Sequence, residues 1–144
     1  MAETTHIGII GTGGIARNHI MAYQRVPGVE VAAVADIVPG RAEAFAKEFG
    51  VARAFTDYHD LLNMPEIQGV SVCTYNQAHR QPTIDALMAG KDVLVEKPLA
   101  AQLDDAIAMI QAANASGKIL HTAFWPRWQP HMKTARQIVE SGTL

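Results

Sequence analysis

Short, nearly continuous apolar runs alternate along the chain with longer stretches in which apolar positions recur every three or four residues. That is the rhythm of strands and amphipathic helices taken in turn. The run His6–Ile10 breaks at Gly11-Thr12-Gly13-Gly14. Ile15, Ala16, His19, Ile20, Tyr23 and Val26 then follow at helical spacing, which predicts a helix over 14–25 stopped by Pro27-Gly28. A second strand is expected at Val29–Asp36. Pro39 is expected to open a helix through Phe45 and Phe49, with Gly50 closing it before a third strand at Val51–Thr56. Asp57–Leu62 reads as a short helix, Gly69–Thr74 as a strand, and Tyr75-Asn76-Gln77 as a polar turn. Pro82 and Gly90 bracket the next helix, and Asp92–Val95 is the fifth strand, closed by Pro98. Leu103, Ala106, Ile107, Ile110 and Ala113 form an i, i+3, i+4, i+7 stripe that predicts a helix buried along that face and ended by Gly117. Lys118–Phe124 completes the strands, and Pro130–Val139 begins a last amphipathic helix.

Strands that are apolar on both faces and joined by helices with short connections predict an α/β fold with a doubly wound parallel sheet. The expected order is 3-2-1-4-5-6. All carboxyl ends of such a sheet share one edge. That edge would gather Gly11-Thr12-Gly13, Asp36, Thr74-Tyr75-Asn76, Glu96-Lys97-Pro98 and Trp125-Pro126-Arg127.

Composition narrows the classes. At 144 residues, 49% hydrophobic and 18% charged, the chain is about one globular domain long and not disordered. A formal net charge of −2 with scattered Lys and Arg offers no stripe for nucleic acid. No segment reaches the roughly 18 consecutive apolar residues of a membrane span, and the N-terminus lacks the basic start and apolar core of a signal peptide. With a single cysteine, Cys73, in an apolar run, the expected location is cytoplasmic. The 6 histidines include none at zinc-like spacing, so no metal site is expected.

Gly11, Gly13 and Ala16 fit the G-x-G-x-x-G/A spacing of dinucleotide loops: one residue for the tight turn, one for close approach of pyrophosphate, one for helix–strand contact. Gly11, Thr12, Gly13, Gly14 and Ile15 are therefore candidates for phosphate contact at a helix N-terminus; an ordinary glycine-rich turn is the plainer alternative. Asp36, with Ile37 beside it, ends the second strand where an acid accepts bonds from adenosine ribose hydroxyls, which favours NAD. Otherwise it is a turn-forming Asp before Val38-Pro39. Arg41 either lies near a 2′-phosphate, which keeps NADP open, or is a solvated helix residue.

Val93-Leu94-Val95-Glu96-Lys97-Pro98-Leu99-Ala100 resembles the signature of the family named for glucose-fructose oxidoreductase, inositol dehydrogenase and MocA. The resemblance runs through Gly11-Thr12-Gly13, Asp36, Asp57-Tyr58 to Leu62, Thr74 to His79 and Gly90-Lys91-Asp92-Val93, then on to Arg127, Pro130 and Glu140-Ser141-Gly142. It implies the nucleotide-binding domain of an NAD(P)-dependent oxidoreductase acting on a sugar, cyclitol or related polyol. Glu96 would bind nicotinamide ribose, and Lys97 would be catalytic, reaching substrate and ribose and helping proton transfer. The Lys97-Pro98 bond would be cis. Thr74, Tyr75, Asn76 and His79 would flank the cofactor between phosphates and nicotinamide, with Tyr75 departing from the proline common there. Trp125 and Arg127 would lie near the nicotinamide. Simpler roles exist: Lys97 as a surface partner of Glu96, His79 as a helix-start residue, Trp125 and Trp128 as core aromatics.

The resemblance also implies residues 1–125 as the dinucleotide domain and 126–144 as the start of a crossover helix. It would lead toward a substrate domain that the 144 residues do not contain, and His131 does not replace that domain's catalytic residues. The isolated chain is then expected to bind nucleotide without turnover. A non-catalytic dinucleotide sensor is the alternative, and an S-adenosylmethionine methyltransferase a third reading that Glu96-Lys97-Pro98 argues against. A homo-oligomer is compatible with the sequence.

Overall fold

The structure is a computed structural model that describes residues 4–143. Six parallel strands form one sheet in the order β3-β2-β1-β4-β5-β6, the order expected. They are β1 (Thr5–Ile10), β2 (Val29–Ala35), β3 (Arg53–Phe55), β4 (Ile67–Val72), β5 (Asp92–Val95) and β6 (Leu120–Thr122). Helices α1 (Gly14–Tyr23) and α2 (Arg41–Phe49) cover one face. Helices α3 (Tyr58–Leu62), α4 (Arg80–Met88) and α5 (Leu103–Ser116) cover the other, and α6 (Pro130–Glu140) follows β6.

Side chains alternate across the sheet, so Ile9 and Val34 meet α1 and α2 while Ile10, Ala33 and Ala35 meet the opposite layer. Ile9, Ile20, Leu61 and Leu87 are 0% exposed. Each such side chain contributes about 1.5–3 kcal/mol by burial. Gly8 lets α3 approach β1 closely, since a Cβ there would lie 2.5 Å from Leu61 Cδ2.

Several elements differ from expectation. α2 starts at Arg41, not Pro39, because Gly40 interposes a left-handed residue at its N-cap. β4 ends at Val72, so Cys73 and Thr74 leave the strand and reach the carboxyl edge. α4 begins at Arg80, ahead of Pro82, after a 3₁₀ turn at Asn76–Ala78. β6 is only Leu120–Thr122. The largest difference is on α5: Leu103 is 75%, Ile107 43% and Ile110 48% exposed, whereas Met109 and Ala112 are buried. Its small residues let α5 pack closely on α4 and the sheet, turning the larger aliphatic stripe outward. Trp125 and Trp128 fall on a 3₁₀ turn at 59% and 61% exposure, so neither is a core aromatic.

Candidate functional site at the switch point of the sheet

The strand order reverses between β1 and β4, and the chain's glycine loop lies there. Gly11 takes φ +88, and a Cβ on it would stand 2.9 Å from the Cys73 carbonyl and the Thr74 nitrogen. Only glycine fits this turn. Gly13 and Gly14 have negative φ, and a Cβ on either would meet nothing within 4 Å. The fold does not demand glycine at these two positions; an approaching ligand would. α1 also has neither a side-chain N-cap bond nor an acidic residue in its first turn; Ala16 N–H bonds Gly13 O at 3.2 Å, and the N–H groups ahead of it are left open to an anion.

Asp36 leaves β2 beside this loop and is 8% exposed. Its Oδ2 accepts from the Thr12 backbone N–H at 2.9 Å and the Thr12 hydroxyl at 2.8 Å, and Oδ1 accepts from Val38 N–H at 3.0 Å. Burial alone raises the carboxyl. The bonds from Val38 and Thr12 and the Arg41 charge, with Arg41 Nη1 4.0 Å from Oδ1, outweigh it and hold the group below its ordinary range. Asp36 is thus an aligned carboxylate at neutral pH, with acceptor capacity left on Oδ1. Thr12 spends its hydroxyl on Asp36 rather than on the loop's open side.

A cleft of about 730 Å³ follows this edge. Gly11, Gly13, Asp36, Ile37, Arg41, Thr74 and Tyr75, all candidates from the sequence, line it together. Thr74 Oγ1 is buried there without a hydrogen-bond partner. A dinucleotide fits the donors and acceptors present: open backbone N–H groups for phosphate, a carboxylate for ribose, an unpaired hydroxyl between.

Thr12, Gly14, Ile15, Asn76, His79, Glu96, Lys97, Trp125 and Arg127 do not line that cleft. Ile15 packs against the α1–α2 core. His79 is 0% exposed, with Nδ1 2.9 Å from Pro98 O and Nε2 3.1 Å from Thr74 O. It ties the loop after β4 to the loop after β5 and turns no ring nitrogen toward a ligand. Glu96 is buried, with Oε1 3.0 Å from His19 Nε2 and Oε2 accepting from Lys97 N–H at 3.2 Å. Lys97 is exposed, makes no ion pair among the described residues, and is joined to Pro98 by a cis bond. The Glu96 carboxylate therefore holds the Lys97 backbone rather than its ammonium, which argues against a simple Glu96–Lys97 surface pair.

Tyr58 and His59 also line the cleft. Asp57 caps their helix through His59 N–H at 2.9 Å, Tyr58 donates to Asp85 Oδ2 at 2.7 Å, and the two rings stack at 4.2 Å. The bond to Asp57 raises the His59 imidazole above its ordinary value. The signal for these residues was the Asp57 N-cap, which marks the helix start but not which side chains turn toward the cleft. Cys73 lines it too, yet burial and then the Glu96 charge push its thiol up. Its modification by an aromatic disulfide reagent at pH 8 is expected only on unfolding; fast labelling of folded chain would contradict this.

A glycine loop with open space, a buried acid at the end of the second strand and a switch-point cleft define a dinucleotide-binding α/β domain. Residues 5–124 match the Gfo/Idh/MocA oxidoreductase family, NAD-binding Rossmann fold, and the chain belongs to that family. It is 36% identical over 144 residues to inositol 2-dehydrogenase of Salmonella typhimurium, covering 98% of this chain and 43% of that enzyme. Levoglucosan dehydrogenase in complex with NADH and levoglucosan superposes with TM-score 0.90 at 28% identity, over 97% of this chain and 40% of that one. Scyllo-inositol dehydrogenase of Lactobacillus casei, with NAD(H) and scyllo-inositol bound, gives TM-score 0.88 at 26% identity, over 98% and 42%. The chain thus spans well under half the length of these relatives. No helix among its described residues is long and apolar enough to cross a membrane.

Proposed function

We propose that this chain is the NAD(H)-binding domain of an oxidoreductase that moves a hydride between nicotinamide and a sugar, cyclitol or related polyol. The observation that carries the reading is the glycine loop whose second and third glycines face open space beside the aligned Asp36 carboxylate. Phosphate is held by backbone N–H groups of α1, adenosine ribose by Asp36, and the middle of the cofactor passes Thr74, Tyr75 and Asn76. Nicotinamide ribose is taken by Glu96, while Lys97 handles the proton at the substrate oxygen, with Trp125 and Arg127 beside that end. The bound nicotinamide supplies or accepts the hydride. Residues 1–125 form the dinucleotide-binding unit and 126–144 a segment leading out of it. A cytoplasmic location agrees with the single buried thiol.

A binding module without turnover is the second reading for the 144 residues alone, supported by the exposure of Lys97, which no described element covers. Both readings require cofactor binding. Calorimetric titration is expected to show NAD bound more tightly than NADP, because Asp36 accepts from the ribose and repels a 2′-phosphate. Asp36→Ala is expected to erode that preference, with Arg41 then free to meet the phosphate. Equal affinities in the unmodified chain would sink the role given to Asp36, and tight S-adenosylmethionine binding would point to another class.

A further inference from the structure

We propose that His19 is a positioning residue for the nicotinamide end: its ring, fixed by Ser71 and Tyr23, aims the Glu96 carboxylate at the ribose hydroxyls. The proposal rests on the cofactor reading above. His19 lies on the buried face of α1, three residues after Ala16 and four before Tyr23. Its side chain is 9% exposed and that of Glu96 7%. Nε2 stands 3.0 Å from Glu96 Oε1, Nδ1 3.1 Å from Ser71 Oγ, and the Tyr23 hydroxyl 2.7 Å from the same Ser71 Oγ. Ser71 itself is 0% exposed, next to last in β4.

The donors and acceptors fix a direction. A carboxylate only accepts, so Nε2 donates to Glu96. In that tautomer Nδ1 accepts, so the Ser71 hydroxyl donates to it and in turn accepts from the Tyr23 hydroxyl. The chain of bonds runs Tyr23 to Ser71 to His19 to Glu96 and leaves no member unpaired. A carboxylate offers about four lone-pair sites. His19 fills one on Oε1 and the Lys97 N–H one on Oε2, leaving one on each oxygen for a vicinal diol. Apolar neighbours Ala16 and Ile20 show that α1 needs no histidine for packing. What the ring adds is a rigid link from the helix whose N-terminus faces phosphate to the carboxylate at the other end of the cofactor, with the Lys97 backbone tied to that carboxylate.

The test compares NADH with ADP, which lacks the nicotinamide riboside, by titration of the 144-residue chain, alongside melting temperature. The unmodified chain is expected to bind NADH more tightly. In His19→Leu, NADH affinity should fall about ten- to a hundredfold, the worth of a charge-assisted hydrogen bond, with ADP affinity within about twofold. His19→Gln, which keeps an N–H donor able to reach Glu96, should recover most of the loss, and Ser71→Ala should lose a few-fold for NADH only. Both Gln and Ala variants keep the test decisive if the Leu variant does not fold. Equal losses for the two nucleotides, or no loss for either, overturn the positioning role. Failure of the unmodified chain to bind either nucleotide overturns the cofactor reading and this role with it.

Discussion

Gly11→Ala is expected to cost roughly 2–4 kcal/mol of folding stability and to abolish measurable nucleotide binding. The left-handed conformation alone costs a non-glycine residue about 1–2 kcal/mol. The added methyl would also stand 2.9 Å from the backbone of Cys73 and Thr74, with no flexible side chain to yield. Relief requires β1 and β4 to part at the switch point, where Gly11 N–H bonds Ala35 O at 2.8 Å and Cys73 N–H bonds Ile10 O at 2.7 Å. Against a total of about 5–15 kcal/mol for a domain, that is a large fraction. Gly13→Ala provides the contrast. Its methyl meets nothing and its φ of −73 suits alanine, so the melting temperature should hold while NAD affinity falls, because the methyl occupies the approach to phosphate. Thermal melts and titrations of both variants check this. A stable Gly11→Ala chain, or a Gly13→Ala chain with unchanged affinity, would contradict the division between a glycine kept for the fold and one kept for the ligand.

In a protein that joins this domain to a substrate-bearing one, Lys97→Ala is expected to lower turnover by about 10²- to 10⁴-fold, the usual range for a positioned acid or base. NAD affinity should change far less, since the proposed anchors of the cofactor's other end, the loop glycines and Asp36, are untouched. The geometry makes stability a poor explanation for such a loss. Lys97 is exposed and makes no ion pair among the described residues, and the Glu96 bond goes to its backbone N–H, which alanine retains. Lys97→Arg should fail as well, because a guanidinium does not give up its proton. Rates, NAD affinities and melting temperatures of both variants separate the roles; a fully active arginine variant would reject proton transfer.

The alternation of apolar runs with helical stripes carried the sheet, its parallel sense and the flanking helices, because each strand buried on both faces is a local pattern. Gly11, Gly13 and Asp36 were legible for the same reason: turn conformation and strand ends are marked by residues close in the chain. The short helix at Asp57–Leu62 was legible as well, and α3 occupies Tyr58–Leu62.

Partnership was not legible. Thr12 and Asp36 are 24 residues apart, and His19 and Glu96 are 77 apart. They meet only because β2 and β4 flank β1, and β5 lies beside β4. Likewise the stripe of α5 was visible, but which of its faces is buried depended on how closely small residues let it approach α4, a property of two surfaces at once. His79, read as a ligand residue, is enclosed between two loops that only the sheet order brings together. The sequence by itself determined which backbone conformations occur and in what order, since those are set by residues a few positions apart. The tertiary structure decided which polar groups satisfy one another, because a buried donor takes whatever acceptor the packed strands place within about 3 Å of it.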